Sequence, residues 1–161
     1  KIKQLIINLL FIIYIFLFCA AFLIFSSFLH LKILIFSILL TCVASDLGGF
    51  LFGTIFKGPK LTKISPKKTI SGSIGSFLLS TIIFSILIYY LTKNFDFLMI
   101  IIALITSLGC QLGDLFFSYL KRKSLLKDTG NLLPGHGGVI DRVDGILLGM
   151  PTGLSALLLF Y

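Results

Sequence analysis

Five long runs of apolar residues limit what this chain can fold into. They cover Leu5–Leu29, Ile33–Phe52, Ser73–Leu91, Phe97–Phe117 and Val143–Tyr161. A helix needs about 20 mostly apolar residues to cross the hydrocarbon core of a bilayer. Charged residues make up 12% of the chain, whereas they make up about 25% of a soluble protein. The sequence therefore predicts an all-α, polytopic integral membrane protein with about five transmembrane helices.

The positions of the basic residues predict the orientation of these helices. Two long polar segments separate the runs: the first loop, Lys57–Gly72, and the second loop, Ser118–Arg142. If the N-terminus is cytoplasmic, each of the 14 basic residues except Lys32 and Lys93 falls on the cytoplasmic side. Cytoplasmic loops carry an excess of lysine and arginine, so both long loops are predicted to face the cytoplasm. We expect a single membrane domain over residues 1–161 and, because the first residue is Lys1, the C-terminal part of a longer chain.

The acidic residues are few, and all six are aspartates. Asp46 and Asp114 lie inside otherwise apolar sequence, where a carboxylate costs a few kcal/mol unless it is paired, hydrated or bound to a cation. We interpret both as candidate functional residues. The alternative is a carboxylate that caps a helix or pairs with a lysine at the membrane interface. Asp96, close to Lys93 in a short connection, is interpreted as part of a solvated turn.

The first loop, residues 57–72, has the chemistry of an anion-binding segment. Ser65 followed by Pro66 is typical of a helix start, with serine as the N-cap and proline at the first helical position. Backbone amides at a helix start favour an anion, and Lys67, Lys68 and the Thr69 hydroxyl add charge and donors. The segment suits a phosphate or a phospholipid headgroup. The alternative is a polybasic loop that rests on anionic lipids.

The segment 113–144 is rich in polar functional groups. Asp141 and Asp144 are three residues apart, so a helix that begins here places both carboxylates on one face. Arg142 can bind a phosphate through its planar guanidinium fork. Hard oxygen ligands beside cationic side chains are typical of magnesium-assisted phosphoryl chemistry. His136 lies among glycines. It can act as a general acid or base, as a hydrogen-bond donor to a phosphate, or as a structural residue.

These residues resemble a known family. The segment from Ser118 to Asp144 is similar to the signature of phosphatidate cytidylyltransferase, also called CDP-diacylglycerol synthase. The matching positions are Ser118, Lys121, Arg122, Lys127, Asp128, Gly130, Leu133, Pro134, His136, Gly137, Gly138, Val139, Asp141, Arg142, Val143 and Asp144. Two further blocks also resemble the family: Ile64–Thr69 and Gly113–Leu115.

The resemblance implies an activity and a site. CTP and phosphatidate would give CDP-diacylglycerol and pyrophosphate, with Mg²⁺ as cofactor. The predicted metal ligands are Asp114, Asp141 and Asp144. The predicted catalytic residues are those three aspartates with Lys127, Asp128, His136 and Arg142. The predicted substrate-binding residues are Ser65, Lys67, Lys68, Thr69, Lys121, Arg122, Gly137 and Gly138.

The resemblance also implies partners and a location. It implies an all-helical homodimer in the lipid bilayer, placed by us in the bacterial inner (plasma) membrane with the site facing the cytoplasm. No nucleic acid is expected as a partner. The sequence departs from the family where Ser71 and Phe117 replace its usual glutamates.

Two alternatives to this activity stay open. One is a CTP-dependent lipid kinase that phosphorylates a polyprenol or diacylglycerol. The other is a non-catalytic, degenerate membrane homologue. A CDP-alcohol phosphotransferase is excluded, because Asp144-Gly145 is not followed by the Ala-Arg that its pattern needs.

Overall fold

The computed structural model describes residues 2–62, 65, 68–124, 138 and 140–160, with the backbone alone at 2–5, 7, 8, 30, 141 and 142. Across these residues the chain forms five α-helices: α1, Ile2–Ser26; α2, Leu29–Phe56; α3, Ile70–Thr92; α4, Phe97–Lys123; and α5, Ile140–Phe160. Each helix is long and apolar enough to cross a membrane. The predicted fold class, an all-α polytopic membrane protein, is therefore confirmed.

The helices extend beyond the apolar runs that predict them. α4 continues past Phe117 to Lys123, and α5 begins at Ile140, so both ends of the second loop are helical. The last turn of α4 carries three basic residues, which the negative end of the helix dipole stabilises. The prediction of a polar loop over all of Ser118–Arg142 is thus corrected at its two ends.

A threonine cap sets where α3 begins. Thr69 has an extended backbone (φ −116°, ψ 158°), and its hydroxyl accepts a hydrogen bond from the Gly72 amide at 3.1 Å. Thr69 rather than Ser65 is therefore the N-cap, so the predicted Ser65–Pro66 start of this helix is wrong. The Ser65 carbonyl instead accepts a hydrogen bond from the Lys68 amide at 3.1 Å, which closes a turn ahead of the helix.

The chain divides into two compact units, Lys1–Phe36 and Ser37–Tyr161, and the boundary lies within α2. In the first unit the turn after α1 is closed by a hydrogen bond from the Ser27 amide to the Ile24 carbonyl, 3.2 Å long. In the second unit α3 packs against α4, and α4 packs against α5. Fully buried side chains of this unit include Ile38, Phe84, Ile102 and Met150. Leu158 and Leu159 are 80% exposed, as befits a surface that faces lipid.

Glycines allow the helices of the second unit to approach closely. A Cβ atom at Gly48 of α2 would collide with the carbonyl group of Gly75 on α3. A Cβ atom at Gly113 of α4 would lie 2.8 Å from the carbonyl oxygen of Asp144 on α5. Small residues at such crossings are how membrane helices gain close packing. The crossing at Gly113 also brings the neighbouring Asp114 towards α5.

Candidate active site

Charged side chains from three helices and one loop meet at one end of the second unit. We call these residues the aspartate–lysine cluster: Asp46, Lys68, Asp114, Lys121 and Asp144. Lys68 Nζ lies 2.5 Å from Asp114 Oδ2, and Lys121 Nζ lies 3.5 Å from Asp144 Oδ2. The carboxyl groups of Asp114 and Asp144 are within hydrogen-bonding reach of each other. The two facing carboxyl groups therefore lie between two lysines, with Lys68 on the Asp114 side and Lys121 on the Asp144 side.

Lys68 reaches the cluster because the first loop folds back on itself. The Leu61 amide donates to the Lys68 carbonyl at 2.8 Å, and the Ile70 amide donates to the Pro59 carbonyl at 3.0 Å. These two hydrogen bonds frame an isolated antiparallel bridge between Lys60 and Thr69. The hairpin fixes the backbone of Lys68 immediately before α3. The Lys68 ammonium group is shielded from solvent and points at Asp114.

Asp144 is held by its own helix and by the α4 crossing. Its Oδ1 accepts a hydrogen bond from the Gly145 amide at 3.0 Å, which leaves Oδ2 directed at Lys121. The Asp144 side chain is only 10% exposed. A carboxylate at such a depth is stable only with cations or donors around it. Lys121 and the backbone amide meet that need in the described residues.

Asp46 joins the cluster from α2. Its Oδ1 and Oδ2 lie 3.5 and 3.7 Å from the position that a Cβ atom on Gly145 would take. It is close enough to Asp114 and Lys68 to interact with both electrostatically. Three aspartates from three separate helices thus face one region.

A chain of hydrogen bonds lies next to the cluster and links α2, α3 and α4. We call it the serine–glutamine network: Ser45, Ser73, Ser107 and Gln111. The Ser45 and Ser107 hydroxyls are 2.8 Å apart, and the Gln111 amide donates to Ser107 Oγ at 3.4 Å. The Ser73 hydroxyl donates to Gln111 Oε1 at 2.5 Å. Because Ser45 precedes Asp46 and Gln111 lies one turn before Asp114, the network fixes the helices that carry both aspartates.

The donor atoms of the cluster suit a hard divalent cation. Mg²⁺ usually takes one or two protein carboxylates and completes its shell with water and phosphate oxygens. Asp114 and Asp144 offer two carboxylates that face each other. Among the described side chains, which exclude that of Asp141, no group of three or more His, Cys, Asp or Glu residues is arranged to hold a metal. The fit therefore rests on the facing pair of carboxylates.

The structure places some of the predicted site residues together. Asp114, Asp144, Lys68 and Lys121 meet in the cluster. Asp141 and Arg142 lie in the first turn of α5, and Gly138 is buried just before it. The other predicted site residues lie outside the part of the chain that the structure describes: Lys67, Lys127, Asp128, His136, Gly137 and the side chains of Asp141 and Arg142. Their predicted roles stay predictions.

Three predicted substrate-binding residues are not members of the two described ion pairs. Arg122 is exposed in the last turn of α4. The Thr69 hydroxyl caps α3 and lies 3.0 Å from the Ser71 hydroxyl, so a structural role accounts for it. Ser65 contributes its carbonyl to the turn before Lys68.

Sequence reasoning missed the serine–glutamine network. Gln111 was available as a signal, because it is a large polar side chain inside the apolar run that forms α4. A polar group in such a place needs a partner. The partners themselves, Ser73 and Ser107, carry no distinctive sequence pattern.

Comparison with known proteins identifies the family of this chain. Residues 1–160 match the model of the cytidylyltransferase family. The chain is 39% identical over 123 residues to a phosphatidate cytidylyltransferase of Helicobacter pylori, and the match covers 76% of this chain and 46% of the relative. It is 46% identical over 109 residues to a phosphatidate cytidylyltransferase of Rickettsia typhi, where the match covers 62% of this chain and 47% of the relative. It is 39% identical over 114 residues to a phosphatidate cytidylyltransferase of Mycobacterium leprae, where the match covers 70% of this chain and 36% of the relative.

The matches differ in how much of each protein they cover. The matched part spans about half the length, or less, of these curated relatives. The family model, in contrast, matches nearly the whole chain. The predicted resemblance is confirmed: this chain belongs to the cytidylyltransferase family.

Proposed function

We propose that this chain carries the active site of a phosphatidate cytidylyltransferase, which converts CTP and phosphatidate to CDP-diacylglycerol and pyrophosphate. The observation that carries the proposal is the aspartate–lysine cluster, which joins Lys68, Asp114, Lys121 and Asp144 at the ends of apolar helices. Relatives named phosphatidate cytidylyltransferase support the choice of substrates.

The reaction needs charge compensation more than an activated nucleophile. A phosphate oxygen of phosphatidate attacks the α-phosphorus of CTP, a new P–O bond forms, and the bond to the bridging β-phosphate oxygen breaks. Pyrophosphate leaves with that bonding pair. Because the attacking oxygen is already anionic, the protein must chiefly bring two polyanions together. Lys68 and Lys121 supply positive charge at the cluster, where preorganised charges act most strongly on the transition state.

Asp114 and Asp144, with the predicted ligand Asp141, would hold the magnesium ion. A bound Mg²⁺ would neutralise phosphate charge and stabilise the leaving pyrophosphate. The protein's part is to keep both carboxylates in place. The Gly145 amide does this for Asp144, and the α4 crossing at Gly113 does it for Asp114.

The position of the cluster suits a lipid substrate. The cluster lies where apolar helices end, so phosphatidate can enter sideways from the bilayer while CTP enters from water. The excess of basic residues in both loops supports a cytoplasmic orientation. We place the protein in the bacterial plasma membrane and, by the family resemblance, as a homodimer.

Labelled CTP tests the proposal. The purified full-length protein is incubated in lipid nanodiscs with Mg²⁺, phosphatidate and CTP labelled at the α-phosphate or the γ-phosphate. We expect the α-label in the lipid product and the γ-label in pyrophosphate. A lipid kinase would instead put the γ-label into lipid, and either that result or the absence of a labelled lipid would refute the proposal.

A pair of variants ties the activity to the cluster. Asp114→Asn should lower turnover by about 100-fold or more, the loss typical of removing one electrostatic group from an active site. Asp96→Asn, at the α3–α4 connection, is the matched control and should retain activity. Near-normal turnover of Asp114→Asn at saturating Mg²⁺ would contradict the role of Asp114.

A further inference from the structure

The lysines and aspartates of the cluster neutralise each other. The family resemblance implies that Lys68 and Lys121 bind phosphates and that Asp114 and Asp144 bind a metal. In the structure each of these lysines instead pairs with one of these aspartates, at 2.5 and 3.5 Å. A carboxylate oxygen that contacts an ammonium group is blocked for a metal, and the ammonium group is less available to a phosphate. The lysines and aspartates cannot keep these ion pairs and, at the same time, bind phosphates and a metal fully.

We propose that Lys68 and Lys121 are exchangeable counter-ions. They neutralise Asp114 and Asp144 while the site is empty of substrate, and they move to the phosphates of the nucleotide when a divalent cation takes their place on the carboxylates. Cation and nucleotide then bind cooperatively, because each releases the groups that the other needs. The inference rests on the proposed function and adds the order of charge exchange to it.

Charge balance favours such an exchange. With Asp46 included, the described cluster sets three carboxylates against two ammonium groups, so it carries a net negative charge when all are ionised. Each ionised carboxylate repels a nucleotide triphosphate. A divalent cation on Asp114 and Asp144 would offset their charge and release Lys68 and Lys121 from these two carboxylates. Reciprocity of binding free energies then requires that the nucleotide strengthen cation binding by the same factor.

The two lysines should contribute unequally to the coupling between cation binding and nucleotide binding. Lys68 makes the shorter contact, and its ammonium group is shielded from solvent. Lys121 lies a further 1.0 Å from its partner, as the distances of 2.5 and 3.5 Å show. Attraction between opposite charges increases as separation and local dielectric constant fall. Lys68 should therefore carry the larger share of the coupling.

The positions of both lysines allow their side chains to change partner while the helices stay in place. Lys68 lies on the hairpin of the first loop rather than within a helix. Lys121 lies in the last turn of α4. A lysine head on a flexible four-carbon stem can change partner without movement of the backbone. The exchange therefore requires no rearrangement of the helices.

Binding without turnover tests the exchange. Calorimetry on the full-length protein in zwitterionic nanodiscs, without phosphatidate, measures the Kd of Mg²⁺ alone and that of CTP with and without Mg²⁺. In the unmodified protein Mg²⁺ should tighten CTP binding by about 10-fold, within the usual range of coupling between two sites. In Lys68→Met, Mg²⁺ alone should bind about 5-fold more tightly because its competitor is gone. The Mg²⁺-dependent gain in CTP affinity should shrink.

Matched variants separate exchange from a structural effect. Lys60→Met removes an exposed lysine from the same loop and should leave both constants unchanged. Lys121→Met should show the same changes as Lys68→Met but smaller. Lys68→Arg keeps the charge and should restore much of the coupling. Damage to the site would weaken Mg²⁺ binding, whereas exchange predicts that it becomes tighter.

The outcomes distinguish this inference from the proposed function. If the unmodified protein makes CDP-diacylglycerol but Lys68→Met binds Mg²⁺ no more tightly than it does, the exchange is refuted and the activity stands. If the unmodified protein binds neither Mg²⁺ nor CTP, both ideas fail together. Tighter Mg²⁺ binding with a smaller effect on CTP supports the exchange.

Discussion

Lysine and aspartate occur at both ends of the helices of the second unit, but they make local contacts at one end and contacts between elements at the other. At the α3–α4 connection, Asp96 caps α4 by accepting a hydrogen bond from the Leu98 amide at 3.1 Å. Lys93 ends α3 in a left-handed conformation and lies 4.6 Å from the centre of the Tyr90 ring. In the aspartate–lysine cluster, partners come from different helices and from a loop.

The contrast shows what distinguishes a structural charge from a candidate catalytic one. The contacts described for Lys93 and Asp96 join residues within a few positions, so they form whenever the two helix ends form. The cluster forms only when α2, α4, α5 and the first loop are all in place. It also concentrates like charges, Asp114 against Asp144, which a structure optimised for stability would keep apart. Four predictions test this comparison, in order of decreasing effect on activity.

The largest difference in activity is expected between an Asp→Asn substitution in the cluster and the same substitution at the α3–α4 connection. Asp144→Asn removes the carboxylate that pairs with Lys121, which is also one of the two facing carboxylates. It should lower CDP-diacylglycerol synthesis by about 100-fold. Asp96→Asn keeps a side-chain oxygen for the cap and should stay within about 2-fold of the unmodified protein. Initial rates at saturating substrates measure both, and equal losses would remove the distinction between the two ends.

A second comparison tests the helix crossing that assembles the cluster. Gly113→Ala would place a Cβ atom 2.8 Å from the Asp144 carbonyl oxygen and push α4 from α5. Because small displacements of catalytic groups are costly, we expect about a 10-fold loss of turnover, with a loss of stability of about 1–3 kcal/mol. Activity and unfolding in detergent measure the two effects.

The matched control is Gly145→Ala on the facing helix. Its nearest contact would be 3.4 Å, to the Cys110 carbonyl oxygen, which is far less severe than the contact at Gly113. We expect only a small change in activity or stability. If Gly145→Ala proves as harmful as Gly113→Ala, the close crossing at Gly113 does not set the geometry.

A third comparison concerns hydroxyl groups. Ser107→Ala removes the hydrogen bond between helices to Ser45 and the acceptor for Gln111 within α4. The Ser155 hydroxyl, in contrast, bonds only within its own helix among the contacts described, to the Thr152 carbonyl at 2.9 Å. Each interhelical hydrogen bond in a membrane protein is worth about 0.6 kcal/mol. We expect a few-fold loss of turnover for Ser107→Ala and none for Ser155→Ala. A double-mutant cycle of Ser45→Ala and Ser107→Ala should show coupling; additive effects would exclude a functional network.

The sequence was sufficient for the fold class because the length and polarity of an apolar run are local properties. Each of the five predicted runs overlaps one helix of the structure. Helix ends were harder to predict from the sequence, because the α3 cap depends on the backbone of Thr69 and not on the Ser-Pro pair that precedes it. Local pattern thus identifies a helix better than it identifies its first residue.

The composition of the cluster was only partly predictable. Asp114 stood out as a charge inside apolar sequence, Asp144 by its spacing from Asp141, and Lys68 by the anion-binding chemistry of the first loop. The family resemblance grouped them with Lys121. Their pairing was not predictable, because it depends on how the first loop folds and how α4 crosses α5 at Gly113. Long-range register of this kind leaves no periodic signal in one sequence.

The smallest effect on activity is expected from Asp96→Ala. Alanine cannot accept the hydrogen bond from the Leu98 amide, so the first turn of α4 loses its cap. Such a loss costs about 0.5–2 kcal/mol of stability, and unfolding of the purified protein in detergent should show it. The KM values and turnover should be unchanged, because Asp96 lies at the start of α4 while Asp114 and Lys121 lie near its end. A loss of turnover comparable to that of Ser107→Ala would mean that the two ends of α4 are coupled, and Asp96 would then have to be counted with the cluster.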